Sequence, residues 1–148
     1  MQPDGLPYAE DVNYWRTGRS SPDVWVERAK DSIEALGATI IGEGCGRDQH
    51  GKAAYMLAFQ IDGDPFKILW PVLPSKSGDE KAARIQAATM LYHYVKAVCL
   101  YAVVVGARPA FFSHLMLPDG SGRVASEVAG SELAGVIPPM LRLNSPSP

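Results

Sequence analysis

Hydrophobic positions near the start of the chain repeat with the period of a helix. They recur every three to four residues, which places them on one helical face. Ser21 and Pro22 precede this run as an N-cap and a first helical residue, and Gly37 follows it as a left-handed stop. A helix is therefore predicted between Ser21 and Gly37. Its apolar stripe consists of Trp25, Ala29, Ile33 and Leu36.

The pattern then changes to the alternation that is typical of strands. It predicts strands over 38–45, 53–61 and 66–72. If Asp62–Pro65 forms a four-residue hairpin loop, Ile61 pairs with Phe66, and the second and third strands share one wholly apolar face. We expect this face to be buried beneath helices. Its further pairs would be Phe59 with Ile68, Leu57 with Trp70 and Tyr55 with Val72.

A long helix is predicted from about Asp79 to Val105, ended by Gly106. Its first turns are amphipathic, whereas its last turns are apolar nearly all round, so we expect them to be enclosed by other elements or by another subunit. The pattern as a whole predicts an α+β fold. This fold is a three-stranded antiparallel sheet packed with an N-terminal helix and one long central helix, in the order α-β-β-β-α.

The chain of 148 residues has the length of one compact domain. Residues 1–20 mix prolines, glycines and aromatic residues, which indicates an N-terminal arm docked by its aromatic side chains. The domain proper is predicted over 21–143. Residues 144–148 are predicted to form a disordered tail.

Charge and cysteine content exclude several classes of protein. The formal net charge is −2, which gives no overall attraction for nucleic acid or anionic lipid. Cys45 and Cys99 lack the spacing of a disulfide framework or a metal site, so we expect no metal and no cofactor. The N-terminal residues show no signal or transit pattern, and the most apolar run, 97–105, is far shorter than a bilayer span. We expect a cytoplasmic protein with no membrane contact, in a bacterium or a virus-infected cell.

Basic residues around the long helix are candidates for a local nucleic-acid site. Lysine and arginine bind phosphates, and aromatic rings stack on the bases of a single strand. The alternative is that the aromatic residues of this region belong to the core, as the predicted strand register indicates for Tyr55 and Trp70. The candidate nucleic-acid-binding residues are Arg84, Lys96, Lys67, Lys76, Lys81, Tyr92 and Tyr94.

One pair on the long helix is a candidate for catalysis. His93 and Lys96 lie one turn apart and could hold a phosphate or transfer a proton. The alternative is a polar stripe that faces solvent, since no acidic partner is placed beside them by spacing. No metal-binding, nucleotide-binding or nucleophile motif accompanies the pair, so an enzyme is the less favoured hypothesis.

Two apolar surfaces are candidates for an oligomer interface. The outer face of the sheet carries Met56, Ala58 and Leu69. The apolar end of the long helix carries Leu100 and Val103. A subunit of this size has difficulty covering both surfaces, which predicts a homo-oligomer.

The segment from Ile68 to Val124 resembles a group of small uncharacterised proteins of tailed-bacteriophage and prophage genomes. The resemblance implies a phage or mobile-element context, in which small intracellular proteins serve DNA metabolism, host takeover or assembly. After the aspartate–glycine turn, the group commonly continues Arg-Thr-Val, and this chain is one residue longer there. The resemblance is carried by Pro71 and Pro74, by Arg84, by Val95-Lys96-Ala97, and by the pattern Phe-x-x-x-Leu-x-Leu-Pro-Asp-Gly from Phe111 to Gly120.

Three functional hypotheses follow from these observations. The first is a non-enzymatic accessory protein of phage type that acts by self-assembly or by binding a partner, for example a protein of phage DNA metabolism. The second is a single-stranded DNA-binding protein that uses the Arg84 and Lys96 side of the long helix. The third is a small enzyme that uses His93 and Lys96.

Overall fold

The predicted helix, three strands and long helix are all present in the computed structural model. It describes residue 2 and residues 5–47 and 51–128. The predicted tail, 144–148, lies outside these residues. The elements are α1 (Pro22–Glu34), β1 (Thr39–Arg47), β2 (Ala53–Ile61), β3 (Asp64–Pro71), α2 (Glu80–Val105) and α3 (Ala107–Ala110).

The three strands form one antiparallel sheet in the order β1-β2-β3. Both the α+β class and the order α-β-β-β-α are therefore confirmed. In β1, an irregularity between Ile40 and Gly42 leaves Ile41 unpaired and exposed. At the opposite edge, the backbone of Leu115 and Met116 pairs with β3, so that edge is covered.

The predicted hairpin register is wrong by two residues. Phe59 pairs with Phe66, and Ile61 pairs with Asp64, because only two residues form the loop. Asp62 and Gly63 both have positive φ, 51° and 83°, which is the geometry of the tight hairpin turn that Asp-Gly favours. A shift of two residues keeps every side chain on its face. The predicted apolar face is accordingly buried, with Trp70 and Val72 half-buried at its end.

The buried sheet face packs against both long helices. Ala29 and Ile33 of α1, and Leu91 and Val95 of α2, belong to the same core cluster as this face. The core is closed by the rings of Phe59, Phe66 and Phe111, whose centroids lie 5.2–5.7 Å apart.

The arm that precedes α1 docks on the first half of α2. Ala9 is fully buried, and the buried side-chain amide of Gln86 donates hydrogen bonds to the carbonyls of Ala9, Val12 and Asn13 at 2.7, 3.2 and 3.0 Å. Aromatic contact contributes as well, because the ring of Tyr14 stacks on His93 at 4.9 Å. The first half of α2 is therefore enclosed on two sides, by the core and by the arm.

Candidate functional site

A cleft formed by described residues lies where β3 leads into α2. We call it the Arg84 cleft; its volume is about 660 Å³. The loop from Pro71 to Gly78 forms one wall, the start of β2 forms another, and the first turns of α2 close it. Its apolar surface comes from aliphatic and proline side chains, chiefly Leu6, Val72, Leu73, Pro74 and Ala83.

Three basic side chains and one acidic side chain line this cleft. They are Arg47, Lys52, Arg84 and Glu80. Arg47 donates to the backbone carbonyl of Gly51 at 2.8 Å. Within the described part of the chain, exposed Arg84 makes no hydrogen bond or ion pair. With Arg47 and Arg84 against Glu80, the described residues of the cleft carry more positive than negative charge, in a protein whose net charge is negative.

The loop wall of the cleft is fixed by Glu10 of the arm. The carboxylate of Glu10 accepts hydrogen bonds from the Ser75 hydroxyl at 2.7 Å, the Lys76 amide at 2.8 Å and the Ser77 amide at 3.0 Å. Burial raises the pKa of Glu10, but these hydrogen bonds outweigh it and lower the pKa to about 2. The loop is thus held by a group that stays ionised at neutral pH.

Asp79 fixes the start of α2 beside the cleft. Its side chain accepts a hydrogen bond from the Ala82 amide at 3.1 Å, as an N-cap does, and pairs with Arg16 of the arm at 2.8 Å. The hydrogen bond from Ala82 and the pairing with Arg16 lower the pKa of Asp79. Arm, loop and helix are therefore joined at this point.

The predicted nucleic-acid-binding lysines do not form one patch with Arg84. Lys76 pairs with Asp11 at 3.0 Å, and Lys67 donates to the Gly122 carbonyl on the outer side of the sheet. Lys81 is exposed beside Arg16 at a small neighbouring cavity. Lys96 lies twelve residues after Arg84, which is about 18 Å along the helix and a third of a turn round it.

The aromatic candidates are packed within the protein. Tyr92 lies against Trp25, with ring centroids 5.5 Å apart, and Tyr94 lies against Trp70 at 5.3 Å. Lys96 approaches the Tyr92 ring at 6.0 Å. Both tyrosines are half-buried, so neither offers the open ring face that base stacking requires.

The candidate catalytic pair, His93 and Lys96, lies beside aromatic side chains. His93 is exposed, but its ring contacts are with Tyr14, Trp25 and Tyr92. Within the described residues, no hydrogen bond joins His93 to Lys96 or to a carboxylate. The structure therefore places the pair on one surface without the orienting partner that a general base needs.

A contact between Tyr94 and His114 was not predicted from the sequence. The hydroxyl of Tyr94 is hydrogen-bonded to Nε2 of His114, twenty residues further on. Burial lowers the pKa of His114, so the neutral imidazole is favoured. No spacing rule links the two residues, because the turns after α2 bring His114 back beside the helix. The pair joins the 112–114 turn to α2.

The last turns of α2 expose a continuous apolar stripe. Leu100, Val103 and Val104 are 70%, 73% and 77% exposed, and Tyr101 is also exposed. Ala97, Leu100, Tyr101 and Val104 have the 0, 3, 4, 7 spacing of one helical face. Buried Val95, Cys99 and Ala102 occupy the opposite side. We call this surface the α2 stripe.

The outer face of the sheet is the second apolar surface. Leu69 is 46% exposed, while Met56 and Ala58 are half-buried. Gly42 and Gly44 of β1 pair with Ala58 and Met56, so this part of the face carries little side-chain volume. Among the described residues, no helix packs on this face. It is less exposed than the α2 stripe.

By length and composition, α2 would be able to cross a membrane. It is the one helix in the described part of the chain that meets these criteria, and 33% of its most apolar 18 residues are buried. Core helices of soluble proteins meet the same criteria, so this is weak evidence. The uninterrupted apolar end, 97–105, extends only about 13 Å, less than half the ~30 Å hydrocarbon core of a bilayer.

No family model matches the chain, and neither a curated protein nor a solved structure matches it.

Proposed function

We propose that the protein acts without chemistry, by self-association through the α2 stripe, as an accessory protein of phage type. The observation that carries this proposal is the exposure of Leu100, Val103 and Val104 on one helix. Isolated exposed apolar residues are common on monomers, but a contiguous exposed apolar stripe is typical of an interaction surface.

A second copy of the chain is the occupant that fits the stripe best. The helix carries no charged residue from Ala97 to Val105, so two stripes meet without an unpaired charge. A helix face that packs on its own copy forms a closed twofold contact. The outer sheet face lies away from this contact and is a second, weaker surface for larger assemblies or for a partner protein.

Sedimentation equilibrium at micromolar concentration tests self-association. We expect a weight-average mass above the 16.0 kDa of one subunit, rising with protein concentration. A monomer across this range would refute the proposal. Flotation with vesicles of neutral and anionic lipid is the control, because recovery of the protein with lipid in place of self-association would assign the stripe to a membrane.

Binding of single-stranded DNA is the second candidate function, and the exposed Arg84 favours it. Phosphate contacts at Arg84 and Lys81 would be local, since Lys67 and Lys76 have partners within the protein. Fluorescence anisotropy with a labelled single-stranded oligonucleotide at low salt is the test. We expect weak binding with a shallow salt dependence, about −0.7 per phosphate contacted, and Arg84→Glu should weaken binding to all sequences alike. If the oligonucleotide did not bind at tens of micromolar protein, self-association would be the one remaining candidate function.

A further inference from the structure

The Arg84 cleft has the size and lining of a small-molecule site. Its volume of about 660 Å³ lies within the range of about 300–1,000 Å³ that is usual for such sites. Most pockets of this kind combine apolar walls with a few polar groups that fix the orientation of the ligand. This cleft combines aliphatic walls with Arg47, Lys52 and Arg84.

The arrangement of charge in the cleft selects the head group of a ligand. Among the described lining residues, the two arginines, Arg47 and Arg84, outnumber the one carboxylate, that of Glu80, so an anionic head is favoured over a cationic one. Arg84 lies on α2 and, among the described residues, makes no hydrogen bond or ion pair with another side chain. A guanidinium in this position can bind a carboxylate or a phosphate through two parallel hydrogen bonds.

The walls of the cleft select the body of the ligand. Leu6, Val72, Leu73 and Ala83 are aliphatic, and no tyrosine, tryptophan or phenylalanine lines the cleft within the described residues. A flat aromatic base would find no ring to stack on, whereas an alkyl chain would be covered by these side chains. The position of the loop wall is held by Glu10, so the shape exists before a ligand arrives.

We propose that the Arg84 cleft binds a small amphipathic anion, with a carboxylate or phosphate head on an aliphatic body. The head lies against Arg84 and Arg47, and the body lies along Val72 and Leu73. This site is separate from the α2 stripe and does not depend on the proposed self-association.

Octanoate and octyl phosphate, used below their micelle concentrations, are the probes. Titration of the full chain followed by amide chemical shifts should give saturable changes centred on Ala53, Leu73 and Arg84. Affinity should rise by up to about fourfold per added methylene from butanoate to octanoate. Octyltrimethylammonium should not compete. The anion that binds with the higher affinity shows whether the cleft prefers a carboxylate or a phosphate head.

Arg84→Gln is the decisive variant. It should weaken octanoate binding about tenfold or more, because a charge-assisted pair is lost. Lys96→Gln is the matched control, since it removes the same charge from an exposed position of the same helix and should leave affinity within about twofold.

Three results would overturn the proposal. They are the absence of saturable binding of either anion, equal affinity of Arg84→Gln and the parent protein, and shift changes confined to Leu100–Val105. Tighter binding of a nucleoside monophosphate at the same residues would reject the aliphatic body. If Arg84→Gln did not fold, the chain-length and head-group series on the parent protein would still decide the question.

Discussion

In the first half of α2 polar residues are buried, whereas in the second half apolar residues are exposed. The first half carries Gln86 and Thr89, yet both are buried, and the arm covers one side of it. The second half is apolar nearly all round, yet Leu100, Val103 and Val104 are the most exposed of the large hydrophobic residues described. Burial along one helix is therefore decided by what packs on it. The comparison identifies the second half as the surface that lacks a partner within the described part of the chain.

The largest expected effect contrasts two leucines of α2. Leu91 is 1% exposed and Leu100 is 70% exposed. Leu91→Ala should lower the free energy of unfolding by about 2–5 kcal/mol, because it leaves a cavity in the core. Leu100→Ala should change the stability of the monomer by no more than about 0.5 kcal/mol. Urea unfolding at low protein concentration measures both. Equal losses would mean that the last turns of α2 are enclosed after all.

A smaller loss of stability is expected when the Gln86 side chain, which holds the arm, is removed. Gln86→Ala removes the donor to three carbonyls, those of Ala9, Val12 and Asn13, and should lower the free energy of unfolding by about 1–3 kcal/mol. The arm should also become more sensitive to limited proteolysis. Gln60→Ala is the control, because Gln60 is exposed on β2. Unchanged proteolysis in Gln86→Ala would show that other contacts hold the arm.

The smallest effect concerns the dependence of arm docking on pH. The folded pKa of Glu10 is about 2, below its ordinary value of 4.5, so its contribution to stability is complete above pH 4.5. That contribution is lost as the pH falls from 4.5 to about 2. The amide shifts of Lys76 and Ser77 should titrate with a midpoint near 2, and Glu10→Gln should abolish this titration. A midpoint near 4.5 would mean that the carboxylate does not bind the loop.

Local patterns were sufficient to predict the elements of the fold. Pro22 and Gly37 bounded the first helix because their φ preferences act locally, and strand alternation identified the buried face. The hairpin register was missed because Asp64 and Pro65 were assigned to the loop, although Asp62 and Gly63 alone satisfy a tight turn. Register depends on loop length, and the side-chain pattern is the same after a shift of two residues.

Contacts between distant segments could not be predicted. Arg84 was identified as a candidate, but Arg47, Lys52 and the loop that complete its cleft lie up to 37 residues away in the chain. The apolar end of α2 was predicted to be enclosed or to form an interface, and the sequence left both alternatives open. Docking of the arm through Gln86 carries no local signal, because a glutamine in a helix is most often on the surface.

The position of the self-association surface is the central claim, and sedimentation velocity of three variants tests it most directly. Val104→Glu places a charge within the α2 stripe, Lys96→Glu reverses the charge at its edge, and Leu69→Glu places a charge on the outer sheet face. We predict that Val104→Glu sediments as a 16.0 kDa monomer, while Lys96→Glu and Leu69→Glu remain at least dimers. If Val104→Glu assembled as the parent protein does, and Leu69→Glu did not, the α2 stripe would not be the primary interface.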